Sequence, residues 1–174
     1  MDSSTNDRAG GERTLLRHAV ATLAYRAEKV LREVPAGFAN HRLGPHARTP
    51  LELVGHLADL IEWATRTAEG QMIWKAQRVG EWDADVDRFY AALAALDRFL
   101  ASDAPLGSPA GVIFQGPIAD ALTHVGQLAM LRGIAGTPVR PESYARARIE
   151  IGRVGREQSS ERREFDGDAS ARKS

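Results

Sequence analysis

The 174-residue chain contains no cysteine. A disulfide framework, a thiolate zinc site and a cysteine nucleophile are therefore excluded, and any transition metal must be held by histidine, aspartate or glutamate. A charge excess is also missing. The 23 basic and 23 acidic residues balance to a net charge of zero, so nothing steers the whole molecule toward nucleic acid or anionic lipid. No uninterrupted apolar run approaches the roughly 18 residues that span a bilayer. The polar start MDSSTNDRAGGER lacks the apolar stretch of a signal peptide. These absences make a soluble cytoplasmic protein the expectation. Lysine is confined to Lys29, Lys75 and Lys173; the preference for arginine fits a coding bias as readily as a binding role. What is present, 43% hydrophobic and 26% charged residues, suits one ordinary globular domain with a substantial core.

Hydrophobic periodicity places four amphipathic helices. Residues 1–11, rich in Ser, Asp, Asn and Gly, read as disordered. The first helix is expected from Glu12 to Glu33, with Leu16, Val20, Leu23, Ala27 and Val30 on one face. After an irregular loop, TPLE at 49–52 is a strong helix start: Thr49 suits the N-cap, Pro50 the first turn and Glu52 the capping box. Leu53, Leu57, Leu60, Ile61 and Ala64 mark that helix's buried stripe, and His56 shares it. A buried histidine needs a partner. Residues 69–81 are too long for a tight hairpin and read as a crossover, with Met72, Ile73 and Trp74 packed down. The third helix is expected over Asp83 to Ala101, with Val86, Phe89, Leu93, Leu96 and Leu100 inward. The fourth is expected from near Pro117 to Ala135, stopped by Gly136 and Pro138. The expectation is an all-α four-helix bundle over 12–156. Ala147, Ile149 and Ile151 would form an extended segment laid against it, and 157–174 would be disordered.

The stretch DALTHVGQ at 120–127 carries the chemistry. Asp120 and His124 stand four residues apart, so both side chains leave one helix face about a turn apart. On a wheel, Ile118, Leu122, Val125 and Ala129 cluster on one side, and Asp120, His124 and Gln127 share a stripe roughly opposite. Such a pair is usually a modest surface interaction. Here the surrounding helix is apolar nearly all round, which places it centrally with its polar stripe facing the interior. With His56 from a second helix, the three form a two-histidine, one-carboxylate set that suits Fe, Ni, Mn or Zn. The rival reading is a buried hydrogen-bond network of the same residues without metal. Gln127, a turn further on, is read as orienting a ligand.

The segments TPLELVGHLADLIEW and DALTHVGQLAMLRGIAG together resemble the DinB/YfiT-like superfamily of four-helix-bundle proteins. The tail RARIEIGRVGREQ is similar to the C-terminal stretch of one DinB-like subgroup, so the resemblance spans roughly 13–158. It implies a single divalent metal ion with a histidine on helix 2 and an H-x-x-x-H pair on the last helix. His56 and His124 match two of those positions, and Asp120 stands where the first histidine of the pair is usual. A carboxylate there makes the site harder and less positive, so the family's metal preference does not carry over. The resemblance further implies a metal-dependent transferase using a low-molecular-weight thiol, or a hydrolase, and a homodimer.

An ion held by the triad would lower the pKa of a water or a substrate thiol to give a nucleophile near neutral pH. His18, His41 and His46 are the remaining acid–base candidates, though their settings favour surface placement. The competing reading is a non-catalytic module, with the His/Asp cluster structural or metal-free. Partners are expected to be a small molecule or thiol rather than nucleic acid, since no basic stripe exists.

Overall fold

The computed structural model describes residues 3–165 apart from Val79, with side chains from Gly10 onward. Among these residues the chain is all-α, with no strand. Helix α1 spans Ser3–Leu31, α2 Pro50–Ala68 and α3 Trp82–Ala101. A fourth helical run follows as α4 Ala110–Ile113, a π-helical turn Phe114–Ile118 and α5 Ala119–Ile134. Helix α2 packs on α3 and α5, and α1 packs on α3 and α5. Every apolar residue assigned to the inward stripes of the first three helices is buried, while His56 on the α2 stripe is partly exposed. Each large side chain among them contributes about 1.5–3 kcal/mol of hydrophobic stabilisation. No helix of the described residues is long and apolar enough to cross a membrane.

The capping box forms as expected. Glu52 N–H donates to Thr49 Oγ1 at 3.2 Å, and Thr49 N–H donates to the Glu52 carboxylate at 2.7 Å. Arg42 clasps the same carboxylate at 3.0 and 3.1 Å. Thr49 is itself buried, which fixes where the loop enters α2.

Three expectations are corrected. Helix α1 begins at Ser3, inside the stretch read as disordered. The fourth helical run begins at Ala110, not near Pro117. Proline has no N–H and cannot close the usual bond to the residue four back. The run accommodates it by widening: Ala119 N–H reaches the carbonyl of Phe114, five residues back. Thirdly, the tail forms no strand over 147–151, although Ala147 itself is extended, and the described residues do not fray at 157. It makes a 3₁₀ turn at Tyr144–Arg146, sets Ile149 and Val154 against the core, and returns so that Glu142 and Glu164 pair antiparallel. Glu142 accepts from Tyr25 O–H at 2.5 Å and from Lys29 at 2.7 Å, and Arg162 reaches Glu28 at 2.6 Å. The reading of residues 166–174 as disordered lies outside the described residues.

Two arginines hold helix ends together. Arg132 Nη1 donates to the Arg32 carbonyl at 2.6 Å, just beyond the end of α1, and Arg13 donates to the carbonyls of Leu100 and Ala104 at the end of α3. These carbonyls have no helical partner, so each guanidinium satisfies acceptors that would otherwise be left open. The crossover between α2 and α3 is fastened twice. Gly107 N–H donates to the Ala68 carbonyl at 2.8 Å, where Gly107 and Gly70 backbones meet. Further on, Gln77 N–H reaches both Asp59 oxygens at 3.3 Å.

Candidate metal centre

His56 projects from α2, and Asp120 and His124 from α5, where the two helices pack antiparallel. His56 Nε2 lies 3.9 Å from Asp120 Oδ2, and His124 Nε2 lies 3.4 Å from Asp120 Oδ1. The imidazole centroids are 4.7 Å apart at 77°. One donor atom of each residue lies within 4.8 Å of the other two. Two donors each about 2.1 Å from one ion stand about 3.4 Å apart in a tetrahedral shell. The observed separations thus approach those of a shared coordination sphere, and they exceed ordinary hydrogen-bond lengths.

His124 Nδ1 meets Gln127 Oε1 at 2.8 Å. With Nδ1–H donating to that oxygen, the lone pair rests on Nε2, the atom turned to Asp120. Of the three residues, Gln127 therefore orients His124. Burial pushes the pKa of His56 down, reinforced by the Arg48 and His124 charges and opposed by Asp120 and Asp59. Its neutral form, which can donate a lone pair, is favoured.

The setting of α5 differs from the wheel's reading. Its buried face is Ala121, His124, Val125, Leu128, Leu131 and Arg132. Asp120, Gln127, Met130 and Ile134 are exposed, so this is a peripheral helix with His124 at the edge of its inward face. Thr123, Gly126 and Gly133 make up most of the remaining outer surface, and their small size explains how a weakly polar face comes to meet water. The cluster consequently lies at a rim: the Asp120 side chain is 49% exposed, against 19% for His56 and 11% for His124.

Two depressions flank it. One, of about 370 Å³, is lined by Arg42, His46, Arg48, His56, Asp59 and Gln77. The other, of about 390 Å³, is mostly apolar and bounded by Leu43, Arg48, Leu53, His124, Met130 and Leu131. Arg48 belongs to both. Of the other histidines, His18 and His46 are exposed and His41 is partly buried; only His46 reaches the site's surroundings.

Sequence reasoning missed an aromatic wall. Trp74 stands edge-on to His56 at 5.6 Å between centroids, and Trp63 stands edge-on to Trp74 at 5.6 Å. Gly116 approaches the Trp63 ring so closely that a Cβ there would lie 3.6 Å from it. Trp63, seven residues after His56, shares its helix face and was findable by spacing. Met72, Ile73 and Trp74 were expected to pack down; all three are exposed, at 61%, 53% and 43%, and of them Trp74 turns its ring edge-on to His56. No family model, no curated protein and no solved structure matches this chain.

Proposed function

We propose that the chain is a DinB-like four-helix bundle in which His56, Asp120 and His124 hold one divalent metal ion. The site would serve as a metal-dependent transferase, with a low-molecular-weight thiol as co-substrate, or as a hydrolase. The observation that carries this reading is the convergence of three donors from two helices within 4.8 Å at a rim open to solvent. The donor set fits: two imidazoles and a carboxylate suit Zn, Ni, Fe or Mn. When bound, such an ion supplies Lewis acidity that makes water or a thiol a stronger nucleophile near neutral pH. The chain's own residues do the rest. Gln127 fixes the His124 tautomer, the half-exposed Asp120 leaves access from solvent, and Trp74 shields the far side of His56.

A metal-free network is the second reading. It is disfavoured because the two histidine–aspartate contacts, at 3.9 and 3.4 Å, are longer than closed hydrogen bonds.

Elemental analysis and titration of untagged protein with Zn, Ni, Mn and anaerobic Fe(II) test the proposal. The expected result is about one ion per chain, lost in His56→Ala and Asp120→Ala. Ni(II) binding should quench tryptophan fluorescence, because the Trp74 ring adjoins His56, and Trp74→Phe should remove most of that quench. Absence of stoichiometric binding by all four metals would sink the reading.

A further inference from the structure

We propose that Arg48 anchors the carboxylate of an organic-acid ligand whose apolar part lies against Leu53, Met130 and Leu131. The inference rests on the reading that the His56–Asp120–His124 cluster is the working site.

Charge pairing around the cluster leads to Arg48. In the depression beside His56, Glu52 is already neutralised by Arg42 at 3.0 Å and Asp59 by Arg88 at 2.8 Å. Gln77 adds its backbone N–H to Asp59 at 3.3 Å and its side-chain amide to Glu62 at 2.9 Å. No carboxylate among the described residues pairs with Arg48, which leaves one uncompensated guanidinium at the mouth of the site.

Its position suits a ligand. Arg48 lines the polar depression that contains His56 and also the apolar one that contains His124, so it stands where the two meet. A planar guanidinium matches a carboxylate with two parallel N–H donors. The backbone beneath it is pinned, since the next residue, Thr49, is buried and closes the capping box. Ordering the arginine on binding therefore involves its side chain alone. On the apolar side Met130 is 57% exposed and Leu43 48% exposed, with Leu53 and Leu131 buried behind them. A depression of about 390 Å³ with such walls accepts a short hydrocarbon or a phenyl group. One polar anchor and one apolar floor define an amphiphilic monocarboxylate.

The test compares 4-phenylbutyrate with its uncharged amide, 4-phenylbutyramide, by ligand-observed NMR titration of the full chain after metal removal. Removing metal prevents the acid from binding to an ion instead of Arg48. The acid should bind at least about fivefold more tightly than the amide, the difference one charge-assisted contact to an exposed arginine makes. Arg48→Gln should abolish that preference while leaving the amide unchanged, and Arg48→Lys should keep part of it. Equal affinity for acid and amide, binding of neither, or a preference that survives Arg48→Gln would overturn the proposal. These outcomes leave metal binding standing, and a failure of metal binding leaves this titration readable.

Discussion

Glu142→Gln measures what a single buried charge contributes to the closure of the tail on α1. The Glu142 side chain is fully buried, and that of Lys29 is 2% exposed. Its carboxylate accepts from Tyr25 O–H at 2.5 Å, Lys29 at 2.7 Å and Arg163 N–H at 3.1 Å. Glutamine preserves length, volume and one acceptor, so packing is held nearly constant while the charge is lost. Removing one partner of a buried pair costs about 3–5 kcal/mol when the other charge is stranded. Lys29 is not fully stranded, because Glu164 lies 2.9 Å away at a 15% exposed position. The expected loss is therefore lower, about 2–3 kcal/mol, or about 5–10 °C in Tm for a chain of this size. Urea unfolding followed by circular dichroism reads it directly. Burial alone would raise the Glu142 pKa, but hydrogen bonds from Lys29, Tyr25 and the Arg163 N–H outweigh it and hold the carboxyl below its ordinary range. A depressed folded pKa means that the stabilisation is complete above the unfolded value of about 4.3 and is lost as pH falls through the lower folded value. The gap between wild type and variant should accordingly narrow on acidification below about pH 4. A gap under about 1 kcal/mol at pH 7, or one that widens in acid, would refute the reasoning.

Four further substitutions have expected outcomes. Gly107→Ala should lose about 1–3 kcal/mol in chemical denaturation, because its Cβ would meet Gly70 backbone atoms at 2.4 and 2.5 Å; Gly126→Ala, with nothing within 4 Å, should gain up to about 1 kcal/mol. Asp120→Asn should leave the unfolding free energy within about 0.5 kcal/mol of wild type, since the side chain is half in water, yet should weaken metal binding in a chelator competition. Gln127→Ala should weaken the same binding by about 10–100-fold through loss of the His124 tautomer lock, and an unchanged affinity would remove the role assigned to that amide.

The inward stripes of α1, α2 and α3 and the α2 cap were legible because each depends on residues within a few positions of one another. The triad was legible for the same reason on α5, where Asp120 and His124 are one turn apart, with His56 joined to them through its place on the α2 stripe. The unread parts depend on distant partners. The tail from Pro141 to Phe165 has little periodicity, and its order comes from Lys29, Tyr25 and Glu28, more than a hundred residues earlier. Pro117 is ambiguous locally: proline suits the first turn of a helix and also the point where a helix widens, and the packing of Ile113 and Ile118 into one core selects the second. On α5 the inner and outer faces are nearly equal in polarity, so the wheel alone misplaced the buried side. Arg48 stands out as unpaired only after Arg42 and Arg88 have been matched to their acids.

The π-helical turn at Phe114–Ile118 acts as a vernier between two fixed marks. The marks on α2 are Ala68, bonded to Gly107 in the turn before the fourth helical run, and His56, which faces Asp120 within that run. The spacing between those marks is set once by the pitch of α2 and again by the opposing chain, and the two need not agree. A π turn holds one residue more than an α turn, so it shifts phase without breaking the helix. Restoring α geometry there would turn the segment before Phe114 by about 100° relative to Asp120. The angular aim of the candidate site is thus decided outside it, in a turn that contributes no ligand.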